Sequence, residues 1–162
     1  MTMISSIIEI LPEELLDRIL FFTSHRATRC ALCLVSKDIN RIATPHLYAN
    51  IYLQEDDFQY LRPLAFLLWT SAKHRDAVKS FSVRRAYGGN LDPWPNHQNL
   101  ETIIRAQIKL YVRGGEADQW LFRVRDGADP LPIASLLLRS LKNVAMMQFD
   151  GFQLVDPSSR GG

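Results

Sequence analysis

The period of the apolar residues changes at Pro45, and that change divides the chain into two kinds of structure. Before it, apolar residues recur at helical spacing. Leu15, Leu16, Ile19, Leu20 and Phe22 follow one helical pattern and leave Asp17 and Arg18 outside it. Their helix opens within residues 10–22. Pro12 suits the first turn, where its missing N–H costs nothing, and Glu13 and Glu14 sit at the positive end of the helix dipole. Residues 24–28 are a polar break. A second helix is expected over residues 30–36, with Cys30, Ala31, Leu34 and Val35 on one face. A third is expected over residues 38–43, with Ile39, Ile42 and Ala43 apolar. Thr44-Pro45 should stop it, because the residue before a proline is pushed out of the helical region.

After Pro45, Tyr48, Asn50 and Tyr52 alternate with Ala49, Ile51 and Leu53, the pattern of a short strand. Asp56 or Asp57 can cap a helix running to about residue 71, in which Pro63 either makes a kink or marks the true start. Residues 77–83 read as a second strand and residues 87–95 as a long loop. Residues 100–112 form a helix through Ile103, Ile104, Ile108 and Val112, ended by Gly114-Gly115. Residues 117–124 fit a helix through Trp120, Leu121 and Val124, or a strand through Trp120, Phe122 and Val124. Helix is preferred, because Gly127 then serves as its stop. Asp129 can cap a helix over residues 131–141. A last strand is expected at 144–149 and a flexible tail at 157–162.

Strand–helix alternation implies parallel strands joined by right-handed crossovers. Ile51 and Phe81 stand 30 residues apart, close to the period of about 20–29 of leucine-rich units. Phe81 and Met147 stand 66 apart, which leaves room for a long insertion or a further strand. The expected fold is therefore mainly α: three helices, then α/β leucine-rich-repeat-like strand–helix units in an incomplete series.

Composition narrows the class. With 47% hydrophobic and 22% charged residues, the chain is globular rather than disordered or fibrous. Lys+Arg 19 against Asp+Glu 17 gives net +2, which argues against a dedicated nucleic-acid binder. Two cysteines exclude a disulfide scaffold and favour a reducing compartment. The first ten residues hold no Lys or Arg, and Glu9 interrupts their apolar run, so a secretory signal is not expected. Residues 61–69 are interrupted by Arg62 and Pro63 and fall short of the roughly 20 residues of a membrane span. A soluble protein of the cytoplasm or nucleus is expected, with no membrane and no nucleic-acid partner.

Three sub-motifs carry a resemblance. They are Leu11-Pro12-Glu13-Glu14-Leu15-Leu16-x-x-Ile19-Leu20, then Leu32-x-Leu34-Val35-Ser36-Lys37, then Ile42-Ala43-x-Pro45-x-Leu47-Tyr48. In order, spacing and apolar pattern residues 10–53 resemble an F-box. The later text, Leu47-Tyr48-x-x-Ile51-x-Leu53 and Val78-Lys79-Ser80-Phe81, looks more loosely like fungal F-box proteins with degenerate leucine-rich units. Two positions depart from the family pattern: Ile39 stands where a tryptophan is common, and Ser24-His25-Arg26-Ala27-Thr28 replaces an Asp-Pro-rich loop.

The resemblance implies an F-box over residues 8–48, a leucine-rich-repeat-like region over 49–154 and a tail over 155–162. It further implies binding to the Skp adaptor of a cullin–RING ubiquitin ligase and, through it, to the cullin. The adaptor-binding residues would be Leu11, Pro12, Leu15, Leu16, Ile19, Leu20, Leu34, Val35, Ser36, Lys37 and Ile39. Three short helices cannot bury all of that apolar surface among themselves, so part of it should seek a partner groove. The C-terminal part would hold an unidentified target protein. The alternatives are an adaptor-binding protein with no ligase role, and a truncated receptor without a target site.

No catalytic constellation accompanies these motifs, so a non-enzymatic subunit is expected, without metal or cofactor. Cys30-Ala31-Leu32-Cys33 lacks the strand-to-helix setting of a redox site and the two further ligands of a zinc site, and His25 and His46 have no partner at ligand spacing. His74 and His97 are scattered, and no nucleophile elbow or phosphate-binding Gly-Lys loop occurs. Gly88-Gly89 and Gly114-Gly115 read as turns. Lys73, Arg75, Lys79, Arg84 and Arg85 make a mild basic stretch, read as solvated element ends or a contact for an acidic partner. Trp94 and Tyr87 are either a recognition surface or part of the core. The strand at 144–149 is expected to have an unpaired outer edge, since residues 151–155 are too short to close a layer over it.

Overall fold

The residues described by the computed structural model of the chain are 10–84, 91–127 and 129–150, with the backbone alone considered at 55, 56, 84, 149 and 150. They form eight α-helices, one 3-10 turn and a three-stranded parallel sheet, so the fold is mainly helical. Helix α1 is Glu13–Phe22. Pro12 lies just before it rather than inside the first turn, and its carbonyl accepts from the N–H groups of Leu15 and Leu16 at 3.0 and 3.1 Å.

Helix α2 is Arg26–Cys33, shifted toward the N-terminus from the expected 30–36. The polar segment 24–28 contains helix formers, and polarity alone does not stop a helix. Leu34 and Val35 close it with N–H bonds to the Ala31 and Leu32 carbonyls at 3.0 and 3.2 Å. Ser36 then turns extended, and its Oγ accepts from Ile39 N at 3.3 Å, capping α3, Lys37–Tyr48. This helix runs through Pro45 and overturns the stop expected at Thr44. Thr44 Oγ1 donates to the Asn40 carbonyl at 2.6 Å, and Arg29 Nη1 donates to the His46 carbonyl at 2.9 Å. Neither reaches the Arg41 carbonyl, which Pro45 leaves without its helical N–H donor; the packing of α3 against α1 and α2 offsets that loss.

Strand β1, Asn50–Leu53, leads to a 3-10 turn, Glu55–Tyr60, and α4, Leu61–Thr70. Pro63 is the third residue of α4, within the first turn, where its missing N–H breaks no hydrogen bond of that helix. A short helix, α5, Ala72–Ala77, precedes β2, Ser80–Arg84; the sequence showed no helical period here, and β2 begins later than expected. Helix α6 is Leu100–Tyr111 and α7 is Ala117–Arg125, a helix as preferred. A Cβ at Gly127 would collide with the Arg123 carbonyl, which makes glycine the residue that lets α7 close there. Helix α8, Leu131–Ser140, starts with Leu131 N donating to Asp129 Oδ1 at 2.9 Å. Strand β3 is Met146–Asp150.

The sheet order is β1-β2-β3, parallel throughout. Ile51 lies opposite Phe81, and Phe81 opposite Met147, the same residues whose spacing is 30 and 66. The longer interval holds α6, α7 and α8, and no further strand among the described residues. Two apolar clusters result. One is Leu16, Leu20, Ile42 and Ala43, with Leu11, Leu32 and Cys33 against it. The other packs Phe81, Val83, Leu61, Leu68, Ile104, Ile108, Ile133 and Leu137 between the sheet and helices α4, α6, α7 and α8. Helix α3 joins the two, packing on α5 and feeding β1. Met146 and Met147 are exposed on edge strand β3. No described helix is long and apolar enough to cross a membrane. Tyr87, Arg85, the tail at 155–162 and the fold-back at 151–155 lie outside the described residues.

Candidate partner-binding face of the N-terminal helices

Helices α1 and α2 both pack against α3, and the side chains left over from that packing define the face. On α1, Leu16 and Leu20 are four residues apart and point into the small core. Leu15 and Ile19, also four apart, point away from it and are 47% and 49% exposed. Phe22 continues their line one turn further, and Phe21 meets it edge-on at 5.3 Å; both rings are in solvent. At the end of α2, Leu34 is 86% exposed and Val35 is also exposed. A soluble protein rarely leaves so many large apolar side chains uncovered in so few residues unless they meet something.

The eleven residues expected to contact the adaptor divide accordingly. Leu15, Ile19, Leu34 and Val35 are exposed, as are Pro12 and Lys37. Leu11 and Ser36 are half-buried and line a groove with Glu13, Asp38 and Arg41, between the starts of α1 and α3. Leu16, Leu20 and Ile39 are buried by packing within the three helices, with Leu16 and Ile39 also on the lining of that groove. Ile10, Phe21 and Phe22 are exposed apolar residues outside the expected set. Only Phe22 carried a sequence signal, seven residues from Leu15 and three from Ile19.

Charges frame the face. Arg41 Nη1 and Nη2 donate to the two carboxylate oxygens of Glu13 at 3.0 and 2.6 Å across the groove. That guanidinium holds the Glu13 carboxyl below its ordinary range, and Glu13 in turn raises Arg41. Both side chains are exposed, so the pair orients rather than stabilises. Asp17 meets His46 Nε2 at 2.7 Å and ties α1 to the last turn of α3.

The other candidates settle elsewhere. Cys30 is exposed and Cys33 half-buried on α2, with the Cys33 thiol pushed up by burial. Of the basic stretch, Lys73 and Lys79 are exposed and Arg75 meets Asp76 at 3.5 Å. Trp94 stacks on Trp69 at 5.8 Å and its Nε1 donates to the Arg125 carbonyl at 3.2 Å, which makes it part of the core packing. No group of three or more His, Cys, Asp or Glu gathers at metal-binding distance among the described residues.

Comparison with known proteins returned no matching family model, no matching curated protein and no matching solved structure.

Proposed function

We propose that the chain is the substrate-receptor subunit of a cullin–RING ubiquitin ligase, holding the Skp adaptor on its N-terminal helices and a target protein on its C-terminal part. The observation that carries this reading is the exposed apolar set Leu15, Ile19, Leu34 and Val35, which coincides with the residues of the F-box-like sub-motifs that remain outside the module's core. Such a subunit needs no catalytic group. It acts by proximity, raising the effective concentration of a target lysine near a charged conjugating enzyme. A specific interface of this sort buries on the order of 1,200–2,000 Å² in total.

Purified adaptor should be captured by the wild-type chain and not by Leu34→Asp. Leu34 is so exposed that the change leaves the fold intact, whereas in the complex it puts an unpaired charge into a dry contact, costing several kcal/mol. Unaltered far-ultraviolet circular dichroism should accompany the lost capture. A wild-type chain that ignores the adaptor overturns the reading. An adaptor complex that forms but never recruits cullin or ubiquitylates a protein moves it to the alternative of an adaptor binder without ligase function.

A further inference from the structure

Helices α6, α7 and α8 enclose a groove whose lining includes Tyr111, Arg113, Glu116, Trp120, Ser135 and Arg139. Its shape begins with Gly114, whose φ of 87° turns the chain out of α6 toward α7 and sets Arg113 and Glu116 on the groove wall. Arg139 Nη1 donates to the Tyr111 carbonyl at 3.0 Å. That contact holds the guanidinium at the end of α6 and leaves its other donors for a further acceptor. Arg113 is exposed and has no hydrogen bond or ion pair with any other described residue. Ser135 is exposed as well and adds a hydroxyl, while Trp120 and Tyr111 are half-buried and supply ring surface.

Charge separates this groove from the others described. The groove beside Glu13 carries two carboxylates against Arg41. The one at the α3–α5 junction balances Asp17 and Asp76 against Lys73 and Lys79. The pocket under Tyr48 and Tyr60 balances Asp57 against Arg26. Between α6, α7 and α8, two guanidiniums face the single carboxylate of Glu116. Guanidinium forks match carboxylate and phosphate oxygens two at a time, and Arg beside Trp and Tyr is the composition that anchors protein contacts.

We propose that this groove binds an extended acidic segment of a partner protein, with side-chain carboxylates or phosphates on Arg113 and Arg139. Calling that partner the ubiquitylation target rests on the proposed function; the binding itself does not. Glu116 opposes the segment and sets an upper bound on its affinity.

Fluorescence anisotropy on the full chain tests this with three labelled peptides of equal length: one rich in Asp and Glu, one carrying phosphoserines, one rich in Lys. The acidic peptides should bind, the Lys peptide should not, and binding should weaken as salt is added. Arg113→Ala should weaken it about tenfold and Glu116→Gln should tighten it about threefold, the expected signs for a lost attraction and a lost repulsion at short range. A phosphoserine peptide that binds more tightly than the Asp/Glu peptide assigns the ligand as phosphate, and equal affinities assign it as carboxylate. Absent binding of both acidic peptides, equal binding of the Lys peptide, or indifference to Arg113→Ala overturns the proposal. Adaptor capture by the same preparation is a separate readout, so a chain that takes the adaptor and refuses acidic peptides loses this inference and keeps the proposed function.

Discussion

In α1, Leu16 and Leu20 are buried while Leu15, Ile19, Phe21 and Phe22 stand in solvent; in α8, Ile133, Leu136 and Leu137 are buried and Leu131 is the exposed exception. The two helices are ten residues each and similarly apolar. What differs is the number of neighbours. Helix α8 packs against α4, α6 and α7, and its cluster extends to the sheet. Helix α1 has α3 as its main neighbour. A three-helix module has too little interior for the apolar residues it carries, and the excess becomes a surface. Helical apolar residues therefore build a core in one half of the chain and in part an exposed face in the other.

The comparison breaks first at Phe81, which is fully buried between β1 and β3. Phe81→Ala should cost about 3–5 kcal/mol in urea denaturation, because the cavity cannot collapse against a sheet on one side and helices on the other. A loss under about 1 kcal/mol would mean that the C-terminal core is loosely packed. The exposed Leu34→Asp, measured in the same way, should change stability by less than about 0.5 kcal/mol.

A smaller effect is expected at Arg62. Its guanidinium donates to the carbonyls of Asp92, Arg125 and Gly127 at 3.4, 3.2 and 3.0 Å and lies 5.9 Å from the Trp94 ring centre. Arg62→Met keeps the apolar stem and removes the donors. It should destabilise by about 1–3 kcal/mol, with hydrogen exchange rising first at the end of α7. Uniform acceleration across the C-terminal part would instead mean that Arg62 acts through packing alone.

The seam between the two regions should show the mildest response, and it depends on pH. His74 on α5 meets the Tyr48 ring of α3 at 4.9 Å and Ser71 Oγ at 2.6 Å. Burial first, and Lys73 second, lower its affinity for a proton. The unfolded chain therefore binds that proton more readily. Stability from this site is complete above the ordinary histidine value of about 6.5 and is lost as pH falls through the lower folded value. Thermal melts of wild type and His74→Gln should converge on acidification. Parallel curves would place the acid sensitivity elsewhere.

Much of the fold was legible because its signals are local. Ile104 and Ile108 mark α6, Asp129 announces α8, and Gly127 allows α7 to close. Ser36 was a missed signal of the same type, a cap whose Oγ accepts from Ile39 and separates α2 from α3. Helix α5 has six residues and no buried side chain, so no periodicity announced it. At the candidate face, spacing identified the apolar residues of α1 but not their direction. Leu15 and Leu16, like Ile19 and Leu20, are adjacent in sequence, and helical spacing admits both pairs to one broad stripe.

By itself, then, the sequence determined the change from helices to strand–helix alternation and the parallel sense of the strands, since these follow from period and spacing, while the 66 residues between Phe81 and Met147 left room for a further strand until the structure paired the two. Tertiary structure alone decided that α3 passes Pro45 and that Leu16, Leu20 and Ile39 turn inward while Leu15, Ile19 and Leu34 stay outside. The reason is the same in both cases. A proline inside a helix leaves the carbonyl four residues before it, here that of Arg41, without its N–H donor, and packing of α3 against α1, α2 and α5 offsets the loss. A helical stripe wider than its neighbour can cover is divided by where that neighbour crosses, and neither contact is written in the local sequence.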